Sequence, residues 1–322
     1  MDEPRDERQA SSGLANASLP EQQLVPPPSG FGEKLSLIFV GSDGLRTGWR
    51  FVLYVLMVAV IAILLSLTTH FLLQGVTQKL SKQWGYLIGE SLMLVAAILP
   101  AMAFSKFEKR PFGVYGLPRL GAFGKLFWVG ALWGLAAITV LLLVLRLAGA
   151  FYFGGLALSG VRIVKFAAFW GFFFLVVGLF EEFVIRGYSQ FTLTRGMGFW
   201  PAAVLLSTLF GAMHLGNEGE AWVGALSAGL IGFFFCLTLR RTGTLWFAVG
   251  CHAAWDWGES FLYSVPDSGG TVPGHLLQSS FHGPAWLTGG TVGPEGSVLV
   301  FLTIAVLWIA FDRFFPEIKY GA

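Results

Sequence analysis

Four places in this 322-residue chain set ionisable side chains inside apolar sequence. In a membrane such residues are costly and mark function by default. The first is GLFEEFVIRGY, residues 178–188, where Glu181 and Glu182 end an apolar run that starts at Phe166. Glu182 and Arg186 are four apart, share a helical face and can pair. Glu181 sits about 100° around the helix and does not share that partner. One carboxylate is then structural, and the other is free to act as general base or acid. The second place is LFGAMHLGN, residues 209–217, with His214. The third is GCHAAWDWGES, residues 250–260, where His252 and Asp256 share a face. A carboxylate beside a histidine can fix its tautomer or raise its basicity. The fourth is Glu90, which has no obvious partner in sequence and reads as structural.

The elements that must position these groups are membrane helices. Hydrophobic residues make up 55% of the chain and charged residues 12%, against roughly 25% charged in a globular protein. Residues 1–50 hold 12 of the 40 charged side chains, which leaves too few to cover a soluble surface elsewhere. A spanning helix needs about 20 mainly apolar residues. The candidate runs are 51–72, 84–104, 125–148, 166–188, 199–216, 221–239, 243–262 and 297–315. The expected fold is an all-α polytopic membrane protein of about eight transmembrane helices, with the site between helices four, five and seven. Residues 1–48 read as a polar, disordered cytoplasmic tail and 49–322 as the membrane domain. The stretch 151–165 reads as an interfacial helix, and 264–296, with no Lys or Arg, as a long external loop.

With the N-terminus cytoplasmic, the inside segments hold 16 Lys and Arg and the outside segments 5, which favours both termini inside. The net charge of +2 shows no nucleic-acid footprint. Cys236 and Cys251 lie in apolar runs without disulfide or zinc-ribbon spacing and read as packing residues. A depth argument links two of the clusters. If the fourth helix runs on to Arg195 and turns at Gly196, Glu181 lies about 21 Å and His214 about 22 Å from the turn, level across a hairpin.

The three clusters resemble the CAAX-processing and bacteriocin-processing (CPBP) family of intramembrane endopeptidases, also called Abi proteins. That family carries E-E-x-x-x-R, then F-x-x-x-H, then H-x-x-x-N or H-x-x-x-D on successive spans. The sequence has Glu181-Glu182-x-x-x-Arg186, then Phe210-x-x-x-His214, then His252-x-x-x-Asp256, and the resemblance covers roughly residues 80–262. It implies peptide-bond hydrolysis in the membrane, with Glu181 activating water and Glu182 and Arg186 as a structural ion pair. His214 and His252 would position the water, stabilise the oxyanion or bind a metal. Asp256 stands where the family often has Asn. An ionised Asp cannot donate to an oxyanion, so Asp256 must be protonated, orient His252 or ligate a metal.

His214, His252 and Glu181 would suffice for one catalytic zinc with water in the fourth position. A metal-free glutamate mechanism needs only Glu181 and a histidine on one water, and both versions stay open. The implied partners are the lipid bilayer and a membrane-associated peptide or protein substrate, with no nucleic acid. A prenylated substrate is a family expectation only. The expected location is a bacterial inner membrane. Two other classes fit the same residues. A proton-coupled transporter would also use buried Glu, His and Asp, and transport surviving Glu181→Gln would favour it. A non-proteolytic scaffold of the same fold would keep its function when Glu181, His214 and His252 are changed.

Overall fold

The computed structural model describes residues 36, 38–41, 44–77, 80–217 and 222–321. The chain divides into two units, Met1–Gly44 and Leu45–Ala322. In the first, Val40–Gly41 is a short extended segment. The tail expected over 1–48 lies largely outside the described residues, and helix begins at Thr47, inside its last two positions.

The second unit is a helical membrane domain. Its helices are α1 (Thr47–Thr77), α2 (Lys82–Phe107), α3 (Lys125–Leu147), α4 (Val161–Arg186) and α5 (Tyr188–Met197). There follow α6 (Phe199–His214), α7 (Trp222–Thr242), α8 (Trp246–Trp257), the short α9 (Ala285–Thr288) and α10 (Leu299–Phe314). Each of the eight expected apolar runs contains a helix. By length and composition five stretches could cross a membrane: Thr47–Leu72, α2, α3, the α4–α5 run and α7. The helices α6, α8 and α10 are shorter, with 16, 12 and 16 residues. The fold is all-α and polytopic, as hydrocarbon demands: helices satisfy every backbone polar group internally.

Burial separates the helices by role. The helix α1 leaves Leu56, Val60, Ile63 and Leu64 more than half exposed, a surface suited to lipid. The helix α8 buries Trp246, Phe247, Ala248, Val249, Gly250 and Cys251 in succession and lies inside the bundle. A helix apolar all round belongs in a core. It packs on α3 at backbone distance: a Cβ at Gly134 would lie 2.0 Å from the Cys251 carbonyl oxygen, and one at Gly250 would lie 2.1 Å from that of Phe127. Small residues at such contacts let membrane helices approach closely. On its other side α8 meets α4, while α6 pairs with α7.

Three expectations need correction. The fourth helix does not run to Arg195: α4 ends at Arg186 and α5 starts again at Tyr188. Gly187 makes the break, since a Cβ there would lie 2.4 Å from the Phe183 carbonyl oxygen. The equal-depth premise therefore fails. The stretch 151–165 is not an interfacial helix. Phe151–Tyr152 pairs antiparallel with Ser280–Phe281, and Gly155 and Ala157 bond to Gln278 and Leu276, so helix starts only at Val161. Residues 264–296 are not a simple external loop either. They fold back onto the bundle, burying Val265, Thr288 and Val292, and they line the central cavity.

Candidate active site

The cavity lies among α2, α4, α6, α7 and α8 and has a volume of about 860 Å³. Glu90, Glu181, His214, His252 and Asp256 all line it. The structure thus brings the three sequence clusters, and the unassigned Glu90, to one chamber. Its apolar wall includes Trp170, Phe173 and Phe174 from α4.

The two adjacent glutamates point different ways, as 100° of helical turn requires. Glu182 is fully buried, and the Arg186 guanidinium donates to its Oε1 at 2.9 Å. The same oxygen accepts from His252 Nδ1 at 2.9 Å. A carboxylate can only accept, so Nδ1 carries the proton. That bond joins residues 70 apart in sequence and was not visible from spacing alone. Glu181 keeps 27% of its side chain exposed to the chamber, and its Oε2 lies 3.7 Å from His252 Nε2. Asp256 Oδ2 stands 3.5 Å from the same nitrogen. His252 is therefore ringed by three carboxylates, with Glu182 on one ring nitrogen and Glu181 and Asp256 facing the other.

Arg186 is held by more than Glu182. Its guanidinium lies 4.5 Å from the centre of the Phe210 ring and 5.8 Å from that of Phe235. Cation–π contacts of this kind gain strength away from water. Gly232 leaves room for it: a Cβ there would come within 2.2 Å of Nη2. Phe235 also stacks on the His252 ring at 5.8 Å. Neither Gly232 nor Phe235 carried a signal in the sequence, because each acts through a helix packed beside it.

His214 is the last residue of α6. Its Nδ1 bonds to the Phe210 carbonyl at 2.9 Å, and its ring meets the Phe210 ring edge-on. A carbonyl accepts, so Nδ1 carries a proton, and in the neutral tautomer Nε2 is the acceptor. Phe210 thus touches both Arg186 and His214, which gives the F-x-x-x-H spacing a physical basis.

Two members of a second acidic cluster, Asp267 and Glu295, line the same chamber. Among the described residues, Glu259, Asp267 and Glu295 are the group of three or more ligating side chains whose oxygens all lie within 4.8 Å of one another. Glu181, His214 and His252 do not gather that closely. Burial holds the Asp267 carboxyl well above the ordinary carboxylate range, and Asp256 and Glu295 add to the rise. Glu259 stood in the third sequence cluster without a role. Asp267 and Glu295 lie 8 and 36 residues beyond it, a separation from which no sequence pattern joins them.

Residues 163–258 match the family model described as type II CAAX prenyl endopeptidase Rce1-like. That stretch is similar to a CAAX endopeptidase core. It runs from the first turn of α4 through α5, α6 and α7 to the end of α8 and contains every residue of the three motifs. None of the curated proteins matches the chain. The chain is thus a helical membrane protein of which residues 163–258 are similar to CAAX prenyl endopeptidases.

Proposed function

We propose that this chain is a CAAX-type protease that hydrolyses a peptide bond of a membrane-associated substrate with Glu181 as the general base. One observation carries this reading: Glu181 is the chamber-facing member of the glutamate pair, whereas Glu182 is consumed by Arg186 and His252. A water beside Glu181 would lose its proton to that carboxylate while its other hydrogen is held by His214 Nε2. The oxygen then adds to the substrate carbonyl carbon, and the intermediate collapses with rupture of the C–N bond as Glu181 passes its proton to the departing amine. His252, with Nδ1 fixed by Glu182, turns Nε2 toward the chamber. In its protonated form it donates there to the developing oxyanion. Donors aimed at developing charge are among the strongest contributions to catalysis.

This mechanism routes no step through zinc. In this arrangement Glu181, His214 and His252 do not form a close three-ligand set. The aromatic wall suits an apolar chain beside the scissile bond, and the family match favours a prenylated C-terminal peptide. We place both termini on the cytoplasmic side of the membrane, from the distribution of Lys and Arg.

The test is incubation of the purified chain in nanodiscs with prenylated and unprenylated peptides, with products read by mass spectrometry. The expected result is one cleavage of the prenylated peptide that survives exhaustive treatment with a zinc chelator. Loss of cleavage on chelation, restored by zinc alone, would overturn the metal-free mechanism. Cleavage of neither peptide by folded protein would overturn the substrate class.

A further inference from the structure

Among the described residues, Glu259 is a buried carboxylate that the mechanism above does not use. Glu259 sits in the π-helical turn Gly258–Tyr263 that continues α8. Its side chain is fully buried, and neither carboxylate oxygen has a hydrogen-bond partner. The Trp255 indole lies toward it without completing a hydrogen bond. π-Helical turns recur at functional sites. An isolated buried carboxylate is among the costliest groups a protein can hold.

Two further carboxylates share its position, and both are oriented by donors on one side. The Ser260 hydroxyl donates to Asp267 Oδ2 at 3.1 Å. The Ser268 backbone N–H and hydroxyl donate to Glu295 Oε2 at 3.2 and 2.9 Å. Each set of donors leaves the opposite oxygen, Oδ1 or Oε1, for another ligand. No Lys or Arg occurs between residues 264 and 296 to supply a counter-charge.

We propose that Glu259, Asp267 and Glu295 bind one hard divalent cation of the calcium class, which fastens the 264–296 segment to the end of α8. The donor set is all oxygen and multiply anionic, which selects hard cations over zinc or copper. The oxygens lie within 4.8 Å of one another, the spread expected around an ion with bonds of about 2.4 Å. A small cation such as magnesium keeps several of its waters, whereas this site offers enclosed carboxylates. Serine donors that hold the outer carboxylate oxygens play the supporting role usual around metal ligands. The consequence reaches the chamber, because Asp267, Ser268 and Glu295 line it beside Asp256. The cation would hold that wall in place.

The experiment uses the full chain in nanodiscs, stripped with a chelator and dialysed. Binding is measured by equilibrium dialysis with radioactive calcium, and folding by thermal unfolding. The expected result is one calcium per chain, with a rise in Tm that grows with calcium concentration as linkage requires. Magnesium should compete poorly. Glu259→Gln and Glu295→Gln should each weaken binding by at least about tenfold. Both substitutions remove charge but keep shape, and gel filtration with circular dichroism reports whether each variant folds. The absence of bound calcium and of a Tm shift at up to about 10 mM would overturn the site. So would unchanged calcium affinity in both folded variants.

Discussion

His252 and Glu259 lie two turns apart on one helical run, and each stands among carboxylates. Around His252 the acidic groups come with positive charge built in. Glu182 holds both Arg186 and the imidazole at 2.9 Å. Glu259 converges with Asp267 and Glu295, and among the described residues no Lys or Arg forms a salt bridge with any of the three. The first arrangement carries its compensation in the chain, and the second must import it. A buried pair is damaged most when one partner is removed, while an unbalanced cluster is relieved when one of its charges is removed. The two regions should therefore answer neutralising substitutions with opposite signs.

The largest effect is expected at the first region. Arg186→Met leaves Glu182 buried without its guanidinium and should cost about 3–5 kcal/mol of stability, measured by denaturant unfolding in detergent. A loss below about 1 kcal/mol would mean that Glu182 is held chiefly by His252. Next comes Gly232→Ala, whose methyl must displace the Arg186 guanidinium. Overpacking of this kind should cost about 1–3 kcal/mol. Combining it with Arg186→Met in a double-mutant cycle should give less than the sum, because both act on one contact.

The opposite sign is expected at the second region. In chelator, Glu259→Gln should be neutral or stabilise by up to about 2 kcal/mol relative to chelated wild type. In saturating calcium the order should reverse. Thermal unfolding with and without chelator reads both, and a variant less stable under both conditions would erase the contrast. The smallest effect is expected for Asp256→Asn. Its carboxylate stands 3.5 Å from His252 Nε2, beyond a strong hydrogen bond, and the substitution restores the residue common in the resembling family. Its kcat should stay within about tenfold of wild type.

Legibility in the sequence followed the range of the contacts. Glu182 and Arg186 were paired from their spacing alone because a helix fixes which residues four apart meet. The all-α membrane architecture was legible because hydrocarbon permits few other solutions. The Glu182–His252 bond was not, since it depends on how α8 settles against α4, and that register is set by small residues such as Gly178 at the contact. The depth argument failed at Gly187, whose break in the helix left no mark in hydropathy. Residues 264–296 looked like exposed loop because they are rich in Gly, Ser and Pro. Their Glu295 and Asp267 side chains nevertheless line the chamber, a placement that only long-range packing could disclose.

The central claim is a division of labour between two adjacent carboxylates. It is tested most directly by the single-turnover cleavage rate of Glu181→Gln, with Tm measured on the same preparation. The expected result is a rate at least about 100-fold below wild type, with Tm nearly unchanged because Glu181 meets His252 only at 3.7 Å and has no bond to Arg186. Cleavage at the wild-type rate by folded Glu181→Gln would contradict the account.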